Sequence, residues 1–417
     1  VTLTTTTAQG CSNTAMAASP IILGATPAVS FIYAAICNND STRFVANVTN
    51  LGTSVVAEYE WKFGDADILT GNGPVPNPTH SGRTTGTHEK PLHKYVSTGL
   101  KTVELTVKTD LNCASFPAIR TLNIAPYVTL TQNPSTAPFD FENGRQGWFI
   151  EDITVLDDTT NVSWDWGAPA GATINTSVNG SYAWRTQKNA NTYFTNETSV
   201  VNSPCFNLTL LDRPMISLDY WSDMESNVDG AVIQYSVNGG LDWAIVGPPV
   251  GQVNRDEGIN WFNGVTIPSN PGLQPLGSYG WTGKQGGWKN ARFNLDMIPI
   301  VERDQIRLRI AFASNDLNPT GNTFDGFAFD NVFVGNKQRN VLVEHFTNTN
   351  LTASTDGDVY LDGLLNSQIT AKGVSDFSDL RYHISFPTPD PFNNDNPTDP
   401  GARASRPTPH RPGDPAG

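Results

Sequence analysis

The cysteines are the residues of this chain whose chemistry depends most on spacing. Cys11, Cys37, Cys113 and Cys205 lie far apart, without a CxxC pair and without a cysteine–histidine group at zinc-ligand spacing. A redox or zinc site would need such a group. The distribution therefore favours structural disulfides in a protein that works outside the cytosol.

The common catalytic motifs are missing from the sequence. We find no HExxH, no GxSxG, no phosphate loop and no dinucleotide-binding fingerprint. His88 lies in a polar loop and His93 on a predicted strand, so we do not expect them to bind a metal together. Asp65 lies in a turn, where a carboxylate accepts backbone N–H groups more often than it catalyses. The sequence predicts a non-catalytic protein.

The composition indicates a globular, mainly β protein. Short runs of alternating apolar and polar residues are bounded by Gly, Asn, Asp and Pro, as in antiparallel sandwiches. The net charge is −14 and no basic stripe is present, so nucleic acid is not expected as a partner. The longest uncharged stretch, residues 15–37, is interrupted by Pro20, Gly24 and Pro27. It is predicted to form two short strands and a linker, not a membrane span.

The first residues repeat later in the chain. VTLTTTTAQGC at 1–11 aligns without a gap on VELTVKTDLNC at 103–113. Both copies continue through a polar turn into a second apolar stretch and a proline. Residues 1–26 are therefore expected to be the last strands of a module whose first strands lie upstream.

The complete copy of this module covers residues 27–126. Its motifs are YEWKFGDADILTG at 59–71 and PLHKYVSTGLKTVELTV at 91–107. In an alternating strand, Trp61 and Phe63 would point to the same inner face. These motifs resemble the PKD repeat, and the resemblance implies an immunoglobulin-like β-sandwich.

The resemblance also has consequences for the cysteines. In such a sandwich, a Cys37–Cys113 disulfide would join the two ends of one module, and we expect that pairing. Cys11 is expected to have no partner within the chain. Residues 127–136 are interpreted as a linker to the next module.

Residues 137–337 are predicted to form a second, larger sandwich. The segment opens with FDFENGRQGWF and closes with TFDGFAFDNVFVG, and several short strand-like runs lie between them. The order of these motifs resembles the MAM-type jelly roll. Together the modules predict tandem β-sandwiches with a small α/β segment at the C-terminal end.

This second resemblance implies a structural calcium ion. In such jelly rolls, a glutamate of the first strand and an aspartate of the last strand often share Ca²⁺, which takes six to eight oxygen ligands. By position these residues are Glu142 and Asp330, and the further candidates are Asp140, Asp229 and Asn331. The alternative is that these acids are ordinary surface or turn residues.

Nine of the ten tryptophans lie in the second module. Trp261 and Trp281 occupy the loops GINWFNG and GSYGWTGKQGGW, where exposed indoles would stack on sugar rings. The alternative is aromatic packing beneath long loops. Cys205 has no obvious partner within this module and is expected to be a buried free thiol.

The sequence pattern changes in residues 338–417. A buried-type strand, a segment with helical spacing and a second strand follow one another, which predicts a β-α-β order. VLVEHFT and YHISFP resemble the first half of a thioredoxin-like module of large secreted Bacteroidetes proteins. No cysteine follows Cys205, so this module is not expected to exchange disulfides. The Pro-rich end has the composition of a disordered tail.

Two functional hypotheses follow. In the first, the chain is a non-catalytic part of a large extracellular or cell-surface protein, a stalk, filament or adhesin. Its partners would be other modules of the same longer chain or like subunits. In the second, it is the calcium-dependent carbohydrate- or peptide-binding region of a secreted hydrolase, with surface glycans as partners. The Bacteroidetes resemblance implies export by the type IX route.

Overall fold

The structure is a computed structural model that describes most of the chain. The described residues are 2–16, 18, 24–38, 40–76, 82–131, 139–153, 160–188, 192–248, 258–274, 279–316, 324–337, 341–372, 377–386 and 388–391. They form a mainly β protein with several separate sheets, which confirms the predicted fold class. The chain divides into two compact units, residues 1–336 and 337–417. The Pro-rich end at 392–417 lies outside the described residues.

The N-terminal strands form a hairpin. Strands β1 (Thr2–Thr6) and β2 (Ser12–Met16) pair antiparallel, and all ten of their residues are exposed. Threonine hydroxyls cross between the strands, as at Thr4 and Thr14, where the oxygens are 3.0 Å apart. β-branched residues thus form the ladder that their alternation predicts, with both faces open to solvent.

The first sandwich consists of two four-stranded sheets, in the orders β10-β9-β5-β6 and β3-β4-β8-β7. Trp61 and Phe63 are fully buried between them, as their alternation predicts, and Trp61 Nε1 donates to the His88 carbonyl at 2.7 Å. The strands are β3 (Ala28–Ala34), β4 (Ser41–Thr49), β5 (Val56–Lys62), β6 (Ile68–Gly71), β7 (Thr84–Gly86), β8 (Pro91–Lys94), β9 (Gly99–Thr109) and β10 (Ala118–Ile124).

The second sandwich is larger and also has two sheets. One follows the order β11-β15-β20-β17-β18, with β12 also pairing β15, and the other follows β13-β14-β21-β16-β19. Its strands are β11 (Tyr127–Thr129), β12 (Phe149–Asp152), β13 (Trp164–Gly167), β14 (Ala183–Thr186), β15 (Thr198–Asn207), β16 (Pro214–Asp223), β17 (Gly230–Ser236), β18 (Ala244–Ile245), β19 (Lys289–Asn294), β20 (Ile306–Ala313) and β21 (Gly326–Asn336), with a 3₁₀ turn at Ile300–Glu302.

The ends of the second module meet. Phe139 and Val332 exchange two backbone hydrogen bonds, of 2.7 and 3.1 Å, so the opening segment lies beside β21. The predicted linker at 127–136 is partly wrong, because Tyr127–Thr129 forms β11 and pairs in parallel with β15. This pairing satisfies backbone groups that a free linker would leave to water. Residues 132–136 lie outside the described residues.

The C-terminal unit has the predicted β-α-β order. Strands β22 (Val341–Thr347) and β23 (Phe377–His383) pair in parallel, and helix α1 (Thr352–Lys372) connects them. A parallel pair needs such a crossover connection. Within the described ranges, no helix is both long enough and apolar enough to cross a membrane.

Candidate functional site

The disulfide joins the two sandwiches instead of closing the first one. Cys37 bonds to Cys205, 168 residues away, with Cα atoms 5.9 Å apart. The expected Cys37–Cys113 pairing is therefore wrong, and so is the expectation that Cys205 is a free thiol. Cys11 and Cys113 are both free, the former exposed and the latter half-buried.

The short connection Ala125–Tyr127 explains this pairing. Cys37 forms a β-bridge with Ala125 in the first sandwich, and Cys205 pairs with Tyr127 in the second. The intervening Pro126 carbonyl accepts the Cys205 N–H at 2.8 Å. Three consecutive residues thus hold the two cysteines on either side of the junction. The spacing of the cysteines along the sequence does not indicate that Cys37 bonds to a cysteine of the next module.

The modules also interlock at their surfaces. The Ala35 N–H donates to the Gly239 carbonyl at 3.1 Å, and a Cβ added at Gly239 would lie 2.6 Å from Ala35 Cα. Cys205 is part of the buried core of the first sandwich, and Phe149 of the second module packs against that core. The two modules therefore share apolar contacts, backbone hydrogen bonds and a covalent bond.

Four of the five predicted calcium ligands lie in one region. The Glu142 carboxylate accepts the N–H groups of Ser181 and Tyr182, at 2.9 and 2.8 Å. The Asp330 carboxylate accepts the N–H of Val178, at 3.3 Å, and of Asn331. One loop, residues 178–182, thus binds both carboxylates.

The remaining two members complete this acidic region. Asp140 accepts the N–H of Glu142 at 3.3 Å, and Asn331 donates from its side-chain amide to Asp219 at 3.0 Å. Asp219 was not predicted from sequence. It faces Asp330 across the β16–β21 pairing, a register that sequence does not show.

The acidic region around Asp330 has an excess of negative charge. Burial, together with the charges of Glu142 and Asp219, raises the pKa of Asp330 to about 7. No ion pair joins Asp330, Glu142 or Asp219 to a lysine or arginine of the described residues. The side-chain oxygen of Asn331 is buried without a hydrogen-bond partner. A cation in this region would offset the charge of the carboxylates and give the Asn331 side-chain oxygen a partner.

Asp229, the fifth predicted ligand, lies elsewhere. Its carboxylate accepts the Tyr193 hydroxyl at 2.6 Å and the Asn315 N–H at 2.9 Å. Burial raises its pKa, and the charge of Glu225 adds to the shift. Asp229 therefore belongs to a separate buried network and does not join the acidic region around Asp330.

The two predicted sugar-stacking tryptophans are packed inward. Trp281 is fully buried, and Trp261 is half-buried with its Nε1 donating to the Val246 carbonyl at 2.8 Å. Their rings contact each other at 5.1 Å, and Trp261 also contacts Phe293. The alternative of aromatic packing beneath the loops is the one that the structure shows.

A second acidic group lies in the first sandwich. Ligand atoms of Asp65, Asp67 and His93 all lie within 4.8 Å of one another. Arg83 already occupies the centre of this group, at 2.7 Å from Asp65 and 2.8 Å from Asp67. Burial lowers the pKa of His93, which favours the neutral ring. This arrangement is a structural ion network, and His88 is not part of it.

Comparisons with known proteins give structural neighbours only. No protein-family model and no curated protein sequence matches the chain. The PKD1 domain of Vibrio anguillarum Epp matches at 18% identity, over 24% of this chain and 96% of that domain, with a TM-score of 0.19. A structure of carbohydrate-binding modules from the β-sandwich superfamily matches at 13% identity, over 76% and 99%, with a TM-score of 0.28. The K1 cleaved adhesin domain of Lys-gingipain from Porphyromonas gingivalis matches at 12% identity, over 48% and 96%, with a TM-score of 0.27.

Proposed function

We propose that this chain is a non-catalytic structural and adhesive part of a large secreted, cell-surface protein. The inter-module Cys37–Cys205 disulfide carries the proposal. Disulfides persist in oxidising compartments, so this bond supports a location outside the cytosol. Modules that are joined by a covalent bond and a shared core resist bending at their junction, as a stalk or adhesin requires.

The finer assignments belong to the same proposal. The second sandwich would be a MAM-like jelly roll, and the parent protein a Bacteroidetes surface protein exported by the type IX route. Its partners would be further modules of the same longer chain or like subunits. The motifs FDFENGRQGWF and TFDGFAFDNVFVG support the jelly-roll assignment, and VLVEHFT supports the Bacteroidetes assignment.

The location is tested on the native protein. Non-reducing peptide mapping of protein from the cell surface is expected to give a Cys37–Cys205 peptide, with Cys11 and Cys113 alkylated as free thiols. Protease treatment of intact cells is expected to remove the protein. If the protease leaves the protein intact on whole cells and degrades it only after lysis, the proposed location is wrong.

We further propose that the acidic region binds a structural calcium ion. Glu142, Asp330 and Asp219 would supply carboxylate oxygens, and Asn331 would supply its orphan amide oxygen. Bound Ca²⁺ would supply the positive charge that the described residues lack there. Because loop 178–182 donates to both Glu142 and Asp330, the ion would also fix this loop.

Thermal unfolding with Ca²⁺ and with EGTA tests this site. Ca²⁺ is expected to raise the unfolding midpoint of the full chain, and Glu142→Gln and Asp330→Asn are expected to remove that increase. Asp242→Asn is the matched control, because Asp242 is exposed and bonded to Asn238 instead. A calcium response that persists in Glu142→Gln would exclude this site.

One observation favours calcium-dependent glycan binding as a second candidate. Tyr182 is 38% exposed and contacts Trp166 at 5.0 Å between ring centroids. Half-buried Trp288 donates from Nε1 to the Thr176 carbonyl, just before loop 178–182. These rings flank the proposed calcium site, and exposed aromatic rings stack on sugar faces.

A glycan array in Ca²⁺ and in EGTA tests this candidate. Binding is expected to require Ca²⁺ and to be lost in Tyr182→Ala and Trp288→Ala. Phe116→Ala removes an equally aromatic, 85% exposed residue of the first module and is expected to bind normally. Glycan binding that is equal in EGTA would contradict calcium dependence.

A further inference from the structure

A cavity lies at the junction of the two sandwiches. Its volume is about 170 Å³. Tyr33 of the first module lines one side, and Glu151, Trp243, Arg307 and Arg309 of the second module line the other. Both modules are needed to form it.

Strand β20 supplies the two arginines. In the sequence IRLRIAFA, Ile306 and Leu308 face the core, so Arg307 and Arg309 face the opposite side of the sheet. Alternation alone would place these arginines in water. They are instead only 5% and 8% exposed, because the junction covers them.

The guanidinium groups are held in position by neutral contacts. Arg309 Nε donates to Gln234 at 2.8 Å, and its guanidinium lies 4.0 Å from the centre of the Trp243 ring. Arg307 donates to the Gly239 carbonyl and to the Asn202 side-chain oxygen, at 3.3 and 3.2 Å. These contacts fix both groups but do not neutralise them.

Positive charge is in excess in the cavity lining. Among the described residues that line the cavity, Glu151 is the one carboxylate. Asn202 lies between it and Arg307 and donates to Glu151 at 3.0 Å. Neither arginine forms an ion pair with any residue of the described ranges. Arg307 Nε is buried without an acceptor. Buried arginines are rarely found unpaired. One further negative charge would balance the two arginines and Glu151.

Burial has the expected effect on both guanidinium groups. It lowers the pKa of Arg309 to about 9 and lowers the pKa of Arg307 as well. Guanidinium groups keep their proton in proteins at neutral pH, so both arginines carry a positive charge. The uncompensated charge is thus present under ordinary conditions, in a chain whose net charge is −14.

We propose that this junction cavity binds the carboxylate of an acidic six-membered sugar, a uronate. Guanidinium forks match a carboxylate with paired hydrogen bonds, and Arg307 Nε and the terminal nitrogens of Arg309 are available for them. A monoanion balances the single excess charge. A cavity of roughly 150 Å³ accommodates one benzene-sized ring, so the space here holds the carboxylate and part of the ring of one uronate.

Isothermal titration of the full chain with D-glucuronate tests the proposal. Glucuronate is expected to bind at millimolar concentration and to raise the unfolding midpoint. D-glucose has the same ring without the carboxylate and is expected to have no effect. Sulfate tests a general anion site, and binding of glucose or sulfate as tight as that of glucuronate would overturn the assignment.

Two substitutions locate the binding. Arg309→Met keeps the length of the side chain over Trp243 and is expected to weaken glucuronate binding about tenfold or more, the loss of one charge-assisted hydrogen bond. Arg292→Met removes the same charge from an exposed position on β19 and is the matched control. An affinity that is unchanged in Arg309→Met would overturn the proposal.

A third substitution decides the question if Arg309→Met does not fold. Glu151→Gln keeps an acceptor for Asn202 and removes the competing negative charge. It is expected to strengthen glucuronate binding severalfold. Unchanged or weaker binding in Glu151→Gln would contradict a site built on this charge excess.

Discussion

Removing the inter-module disulfide tests the central feature of this architecture. We expect Cys37→Ser combined with Cys205→Ser to destabilise residues 1–336. The bond spans 168 residues, and the chain-entropy model gives about 5 kcal/mol for closing a loop of that length. Measured values range up to about that figure, so a loss of several kcal/mol is expected.

Guanidinium unfolding followed by tryptophan fluorescence measures this loss. Trp61 lies in the first sandwich and the other nine tryptophans lie in the second. Without the bond, the two sandwiches are expected to unfold in separate steps, because their cores then meet only through the junction contacts.

The control replaces the two free cysteines. Cys11→Ser with Cys113→Ser is expected to leave the unfolding curve unchanged, because neither thiol is bonded. The reasoning is refuted if this control loses as much stability as Cys37→Ser with Cys205→Ser. A Cys37–Cys113 peptide in a non-reducing map would refute it directly.

Two further predictions concern single residues. Burial raises the pKa of Glu197 to about 7 from its ordinary 4.5, so the folded state keeps a proton that the unfolded chain releases. The stability that this group contributes is therefore present below pH 4.5 and lost as pH rises to about 7, by up to about 3 kcal/mol. Glu197→Gln is expected to remove this dependence of the unfolding free energy on pH. Glu302→Gln, at an exposed position, is expected to keep it. Equal pH dependence in the two variants would exclude burial of Glu197 as the cause. Ala66 has a φ of +71°, a costly conformation for a residue with a Cβ, so Ala66→Gly is expected to raise the unfolding free energy by about 0.5 kcal/mol. Ala118→Gly in β10 is expected to lower it by about 0.5–1 kcal/mol, and a loss of stability in both variants would contradict strain at Ala66.

Local pattern was sufficient for the architecture of the modules. Alternation places Trp61 and Phe63 on an inner face, and the structure buries both. The change from alternation to helical spacing after residue 338 predicts the β-α-β order that is observed. These features depend on periods of two and of 3.6 residues, which sequence displays directly.

The candidate site was predicted only in part. A family motif marks the first and last strands and predicts that Glu142 and Asp330 lie together. These segments do meet, at Phe139 and Val332. Asp219 was missed because its place opposite Asp330 depends on strand register. Asp229 lies apart from them, bonded to Tyr193 and Asn315, because a position along the sequence does not show which strands and loops meet.

By itself, the sequence determined the mainly β class, the succession of modules and the inward residues of their strands, since these follow from periodicity and turn chemistry. Only the tertiary structure decided which cysteine bonds to Cys37, that Trp281 is buried, and that Arg307 and Arg309 lie beneath a neighbouring module. Each of these outcomes depends on surfaces that are distant in sequence and meet only on folding. An alternating strand shows which residues share a face, but it does not show what will cover that face.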